Sequence, residues 1–327
     1  MKGNRVLSVE NLSTVFGGPS GVTVVDGVSF DLSAGRTTAL VGESGSGKSV
    51  TALSIMRLID PPGRIASGRI LFDGRDLLAL DEADMQAIRG ARIAMIFQDP
   101  LTSLNPALTI GRQITEMLRA HLALDRGAAE ARAIELLTAV GVKDAARRFH
   151  DYPHHFSGGM RQRVLIAAAI GCHPSIIIAD EPTTALDVTI QAKILRLIHD
   201  LQQEIGAALL LITHDLGVVA TMADDVMVMH AGRIVERADV DSLFHNPQHP
   251  YTRALLACVA AIEGARSEPL LPLDGTAPDL RSPPPGCRFA PQCPLVRDVC
   301  RSRDPALVPV SATQSVACLL VEESVRV

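Results

Sequence analysis

The sequence predicts an α/β fold, a parallel sheet covered by helices, and three observations carry that expectation. Between Val164 and His214 helical and apolar stretches alternate as RQRVLIAAAI, SIIIAD, IQAKILRLIHDLQQEI and ALLLITH. This is the order in which parallel strands and their crossover helices follow one another. The glycine-rich run GESGSGKS, Gly42–Ser49, separates an apolar strand, TALV, from a stretch with helical spacing, KSVTALSIMRLI. Ahead of it, residues 5–41 read as short strands with period-two alternation and turn punctuation: VLSVENLSTVF, GVTVVDGVSFDL and TTALVG.

The remaining segments follow in order. From Ile110 to Val140 the pattern is mostly helical, with apolar positions at Ile114, Met117, Leu118, Leu122, Ile134 and Leu137. After Leu243 the composition changes. Ten of the 20 prolines lie between Pro269 and Pro309, which predicts a loop-rich extension in place of more sheet core. No internal repeat is present.

At 327 residues the chain is long enough for about two domains with a sizeable core. Hydrophobic residues are 47% and charged ones 20%, which excludes a disordered or fibrous chain. A net charge of -5 argues against a nucleic-acid partner but not against a small anionic ligand. With no Trp and only two Tyr, aromatic base-stacking platforms are not expected. The N-terminal MKGNRVLSVENLSTVF has no apolar run after its basic residues, and no stretch reaches the roughly 18 apolar residues of a membrane span. The expectation is a soluble, cytoplasmic chain that serves any membrane process through a partner.

Gly42-Glu43-Ser44-Gly45-Ser46-Gly47-Lys48-Ser49 fits the pattern G-x-x-x-x-G-K-[ST]. Glycines let the backbone wrap phosphates, and its N–H groups with the helix N-terminus supply partial positive charge. Lys48 is placed to reach outer phosphates and the Ser49 hydroxyl to ligate Mg²⁺. Asp180 closes the apolar run SIIIAD, where it can hold the hydration shell of that Mg²⁺, and Glu181 beside it can polarise an attacking water. Three short motifs accompany these: FSGGMRQRV, with Ser157, Gly158 and Gly159 before a helix; LITHDLGVV, with His214 after a strand; and FQDP, with Gln98 after RIAMIF. Singly they are compatible with a helix cap, a core histidine and a surface glutamine.

Together, in this order and spacing, they resemble the ATP-binding subunits of ABC transporters over about residues 5–245. That resemblance implies a P-loop ATPase domain with a RecA-like parallel core, an antiparallel β part and a helical subdomain at about 99–164. It implies a Walker A loop at Gly42–Ser49, a Walker B strand at Ile177–Asp180, Glu181 as catalytic carboxylate and His214 as switch histidine. Gln98 corresponds to the Q-loop residue, which joins Ser49 and Asp180 around Mg²⁺. Ser157 to Gln162 is similar to the signature motif, reading FSGGMRQ where LSGGQ is commoner, and Ala185-Leu186-Asp187 resembles the D-loop. Phe16 is either the adenine-stacking aromatic or a core Phe. The family works as a head-to-tail dimer in which each ATP lies between the Walker A of one subunit and the signature motif of the other. One set of motifs therefore implies a second ATP-binding subunit, a homologous partner or a second copy.

VGESGSGKS, IFQDPLTSLNP, FSGGMRQRV, ADEPTTALDVT and NPQHPYTRALL narrow the likeness to subunits of oligopeptide and dipeptide importers. His155 departs from that group, which often has Glu there. The narrower resemblance implies two membrane-spanning permease subunits, an external solute-binding protein and a place on the cytoplasmic face of the membrane. It implies a domain boundary near 245, with 246–327 as the group's C-terminal extension. Nickel and opines are alternative cargoes, and a nucleic-acid ATPase on the same domain is the alternative of a different class.

The tail holds four of the six cysteines, Cys287, Cys293, Cys300 and Cys318, spaced C-x5-C-x6-C-x17-C. A cytoplasmic chain disfavours stable disulfides, and four thiols are the ligand count of a zinc site or an iron–sulfur cluster. The spacing lacks the C-x2-C pairs of zinc ribbons. Some of the importer subunits it resembles carry a similar tail, which implies a [4Fe–4S] cluster, with zinc as the alternative. Cys172 and Cys258 read as ordinary buried cysteines.

Overall fold

The computed structural model describes residues 4–18, 21–184, 186–262 and 278–325. Among them, strands in chain order are β1 (Arg5–Phe16), β2 (Val22–Ser33), β3 (Thr37–Val41), β4 (Gly63–Phe72), β5 (Arg75–Asp76) and β6 (Ile93–Ile96). They continue as β7 (Ile176–Asp180), β8 (Ala208–Thr213), β9 (Asp225–His230), β10 (Arg233–Asp239), β11 (Val308–Pro309) and β12 (Ser315–Val316). The chain divides into two compact units that cut across its order.

The first unit is Ala79–Leu211 with Leu32–Arg36 and a piece of the N-terminus. Here β6 and β7 pair in parallel, Ile93 opposite Ile176 through Ile96 opposite Ala179, and β8 lies next to β7. Every residue of β7 and β8 is buried, which explains why both read as unbroken apolar runs: helices cover both faces of such strands. The helix Val188–Ile205 buries Ile194, Leu195, Ile198 and Leu201 along one stripe. Asp187 caps its start by accepting from Ile190 N at 3.0 Å, and Gly206 ends it at φ 69°.

The helical pattern at Ile110–Val140 becomes two helices, Ile110–His121 and Arg126–Ala139. The break follows from Asp125, whose carboxylate accepts from Ala128 N at 2.8 Å and starts a new helix. Both helices pack against a third, Gly158–Ile170, and bury Ile114, Leu118, Ala133 and Leu137.

The second unit comprises Leu7–Asp31, Thr37–Leu78 and Ile212–Val327. It contains a four-stranded sheet in the order β2-β1-β4-β5, with β1 and β4 antiparallel from Leu7 opposite Phe72 to Phe16 opposite Gly63. It also contains β3 parallel to β9, Thr38 opposite Asp225, and β10 antiparallel to β9 and to β12. The proline-rich tail thus adds two short strands to the sheet, where the sequence predicts a loop-rich extension in place of more sheet core. β12 pairs Val316 with Glu236 and Ser315 with Arg237, covering a face of β10 that would otherwise be open edge.

One buried carboxylate ties these pieces down. Glu236 of β10 is buried and accepts from Gln248 N at 2.7 Å, His249 N at 2.8 Å and Gln314 Nε2 at 2.8 Å. Three donors offset the desolvation of one charge.

Candidate functional site

The phosphate loop leaves β3 at Gly42 and enters the helix Lys48–Ile55. Two of its glycines are dictated by close approach. A Cβ on Gly42 (φ 153°) would lie 2.1 Å from the Met229 carbonyl oxygen of β9. One on Gly47 (φ 107°) would lie 2.7 Å from Val24 O. Gly45 instead serves conformation alone: its φ is 80° and nothing lies within 4 Å of a Cβ there. Lys48 is buried, and its Nζ donates to Gly42 O and Glu43 O at 2.8 Å each. The ammonium therefore rests on carbonyls of the loop it would serve. Ser46 N donates to Glu43 O at 3.2 Å, and Gly232 N donates to Ser46 O at 2.9 Å. Ser46 Oγ is buried without a hydrogen-bond partner. The helix has no acidic residue in its first turn, so its N-terminal partial charge stays available to an anion. Ser49 lies in that first turn, and Ser44 is exposed at the loop's tip.

The carboxylate pair occupies the end of β7. Asp180 is buried, and Glu181 follows at φ 45°, a left-handed conformation that is uncommon for a non-glycine residue and frequent at functional sites. One oxygen of Glu181, Oε2, accepts from Gln98 Nε2 and from Thr184 Oγ1, each at 2.9 Å. The structure thus joins two of the residues singled out from sequence, Gln98 and Glu181. It adds Thr184, which the sequence reading missed. The signal was there: Thr184 stands three residues after Glu181, the offset at which a hydroxyl can reach back across a turn.

The other motif residues are placed as follows. His214 is exposed directly after β8, and Asp215 beside it caps the helix Leu216–Met222 by accepting from Gly217 N at 2.9 Å. Ser157 is at the N-cap position of Gly158–Ile170, makes no side-chain cap bond, and is exposed like Gly158; Gly159 is half-buried. Gln162 is buried, with Nε2 lacking a partner. Asp187 is spent as the cap described above, and Ala185 lies outside the described residues. Phe16 is half-buried at the end of β1, its ring so close to Gly63 that a Cβ there would approach it to 2.6 Å.

The four tail cysteines are free thiols, Cys300 and Cys318 buried. Three of them pack as apolar side chains: Cys287 and Cys293 against the core around Val41, Val228, Tyr251 and Phe289, and Cys300 with Ala290 and Leu319. Burial pushes the Cys287 thiol up to about 11, with Cys293 and Cys300 adding to the shift, against N–H groups of Phe289 and Ala290 that lower it. Burial likewise raises Cys293, on which Cys318 and Cys300 act. Among the described residues, however, no group of three or more His, Cys, Asp or Glu is arranged to hold a metal ion. The expected iron–sulfur or zinc site is thus unsupported by the side-chain arrangement, although the donor set matches such a group in kind and number. Of the two other cysteines, Cys172 is half-buried and Cys258 exposed, so neither is fully buried as expected.

Comparison with known proteins extends these observations. Residues 25–184 match the family described as ABC transporter, and residues 235–300 match the oligopeptide/dipeptide transporter C-terminal region. The chain is 50% identical over 319 residues to the oligopeptide transport ATP-binding protein OppD of Bacillus subtilis, covering 97% of this chain and 89% of that one. It is 48% identical over 303 residues to the dipeptide transport ATP-binding protein DppD of Escherichia coli, covering 92% of each. Among solved structures, the dimeric ATP-binding cassette MJ0796 bound to ADP and Pi is similar at 27% identity and a TM-score of 0.64, covering 72% of this chain and 98% of that one. Identity sustained along nearly the whole length, joined to a glycine-enforced phosphate loop and a strand-end carboxylate pair, makes this chain an ABC-type ATPase that belongs to the family of oligopeptide and dipeptide transport ATP-binding proteins.

Proposed function

We propose that this chain hydrolyses ATP to power uptake of di- or oligopeptides through two membrane-spanning subunits. It sits peripherally on the cytoplasmic face and pairs head-to-tail with a homologous ATP-binding subunit or a second copy. An external solute-binding protein delivers the peptide. The observation that carries this reading is the full-length identity to peptide-transport ATP-binding proteins. We assign residues 1–245 to the ATPase domain and 246–327 to the family's C-terminal extension.

The roles follow residue by residue. Gly42–Ser49 cradles the phosphates, Lys48 exchanging its loop carbonyls for phosphate oxygens. The Ser49 hydroxyl, Asp180 and Gln98 would hold Mg²⁺, which would neutralise phosphate charge when bound. Glu181 takes a proton from the attacking water as its oxygen bonds to the γ-phosphorus and ADP leaves. His214 senses the γ-phosphate. Ser157, Gly158, Gly159 and Gln162 act on the ATP of the partner subunit, with Asp187 beside that interface, and Phe16 stacks on adenine. Closure on ATP and opening after phosphate release drive the membrane subunits.

The docking element tests the transport reading. The short helix Pro100–Ser103 follows Gln98 and leaves Leu101 65% exposed, whereas Leu104 is only 5% exposed. Leu101→Cys is expected to cross-link to a membrane-spanning subunit in the assembled transporter, and Leu104→Cys to react weakly. Cross-linking from the tail alone, with Leu101→Cys silent, contradicts the assignment.

We also infer that Cys287, Cys293, Cys300 and Cys318 hold a [4Fe–4S] cluster with a structural role, zinc being the alternative occupant. The number and kind of the donors, four thiols within one tail segment, support this reading. Pro291 and Pro294 restrict the loop beside Cys293. Protein purified without oxygen is expected to be brown, to absorb broadly near ~400 nm and to lose that colour on Cys293→Ser. Colourless protein with one zinc per chain reverses the ranking, and metal-free protein with four reactive thiols rejects both.

A further inference from the structure

The entrance of the phosphate loop is pinned from the C-terminal part of the chain. The peptide unit joining Gly42 to Glu43 is tied at both ends. Lys48 Nζ donates to its carbonyl, Gly42 O, at 2.8 Å, and its N–H, on Glu43, donates to Tyr251 Oη at 3.0 Å. A peptide plane held this way cannot turn without losing both bonds, and the oxygen on which Lys48 rests is fixed with it.

Tyr251 is itself held firmly. It is fully buried near the start of the helix Pro250–Ile262, and its N–H donates to His249 Nδ1 at 3.0 Å. Its ring meets His230 at 4.5 Å and Phe289 at 5.5 Å between centroids. Burial raises the phenol above its ordinary range, so it stays a neutral hydroxyl at any working pH. Phe289 belongs to the cysteine-bearing tail, and Cys287 and Cys293 pack against the same core. The tail reaches the loop by a second route as well: Arg288 Nη1 donates to Ala231 O at 2.5 Å, and the next residue, Gly232, donates its N–H to Ser46 O at 2.9 Å. Both ends of the loop thus answer to residues 230–300.

We propose that Tyr251 is a positioning residue for ATP, fixing the Gly42–Glu43 peptide and with it the resting place of Lys48, and that Phe289 couples the cysteine-bearing tail to nucleotide affinity through Tyr251. This deepens the assignment of Gly42–Ser49 as the ATP phosphate site and rests on it. The segment NPQHPYT is then part of the ATPase machinery in its own right.

The test uses the full-length chain and a fluorescent ATP analogue. Tyr251→Phe keeps the ring and removes only the hydroxyl, so its melting temperature should stay near that of the unsubstituted chain. Its affinity should fall about 5-fold, the equilibrium counterpart of one neutral hydrogen bond. In the assembled transporter KM for ATP should rise by a similar factor while kcat changes less than about 2-fold. Phe289→Leu, which leaves the hydroxyl but loosens its packing, should weaken binding in the same direction. Unchanged affinity in Tyr251→Phe, or a fall in kcat with affinity intact, overturns the proposal. Lys48→Ala separates the two layers: wild-type binding there would refute the loop assignment itself. Lost binding in Lys48→Ala beside normal binding in Tyr251→Phe refutes only the positioning role.

Discussion

Glu181→Gln is expected to keep ATP binding and to lower turnover on the order of 100-fold or more, the usual consequence of deleting a general base. The substitution is nearly isosteric, so the contacts with Gln98 and Thr184 set its clean interpretation. Both donate to the same carboxylate oxygen at 2.9 Å, and a glutamine carbonyl at that position accepts from both equally well. The left-handed backbone at φ 45° is also unchanged. What disappears is the ability to accept a proton from water. Steady-state hydrolysis by the assembled transporter, with nucleotide binding measured in parallel, checks this. Wild-type turnover in the variant would remove Glu181 from the mechanism and leave the Gln98 contact as a structural one.

Gly42→Ala carries the second large effect, and it strikes binding where Glu181→Gln spares it. The added methyl would stand 2.1 Å from the Met229 carbonyl oxygen, inside any tolerable contact. Met229 is backbone of a buried strand, paired with Ile234 of β10, and cannot swing aside as a flexible side chain would. The loop must therefore move, and the Lys48 and Tyr251 bonds to the Gly42–Glu43 peptide go with it. Nucleotide affinity is expected to fall by about 100-fold or more, with a loss of roughly 1–3 kcal/mol in stability from forced repacking. Gly45→Ala supplies the contrast. Its Cβ meets nothing within 4 Å at φ 80°, so only the left-handed backbone cost of roughly 1–2 kcal/mol applies. ATP titration and thermal melting of the two variants side by side decide the matter. Equal, mild losses in both would show that Met229 does not constrain the loop.

Much of this site is legible in the amino-acid sequence because its parts announce themselves locally. The runs TTALV, IIIAD and ALLLIT are continuous because each strand is buried on both faces. Gly42 and Gly47 sit where backbone must approach backbone, and Gly45 where the chain turns left-handed. What escapes a reading of the sequence depends on contacts between distant segments. Tyr251 is an ordinary residue until the fold brings its hydroxyl to the Glu43 amide, whereas Thr184, three residues from Glu181, makes a local contact that its spacing could have shown. β11 and β12 are two residues each, too short to show any period; β12 exists because β10 offers it an edge, and β11 because β12 in turn offers one. The helix after the loop ends at Ile55, earlier than its apolar spacing suggests, because Arg57 turns into the left-handed region at φ 51°. Gln162 lies within a motif expected to face nucleotide, yet it is buried. Its place in the motif can be read from sequence, whereas its solvent exposure is set by packing.

The most direct test of the account is uptake driven by this chain. Co-expression with its membrane-spanning subunits, reconstitution into vesicles and addition of the solute-binding protein should give ATP-dependent accumulation of a labelled tripeptide. Glu181→Gln should abolish that accumulation while the subunits still assemble. Failure to associate with any membrane-spanning subunit, together with salt-sensitive retention on DNA or ribosomes, would contradict it.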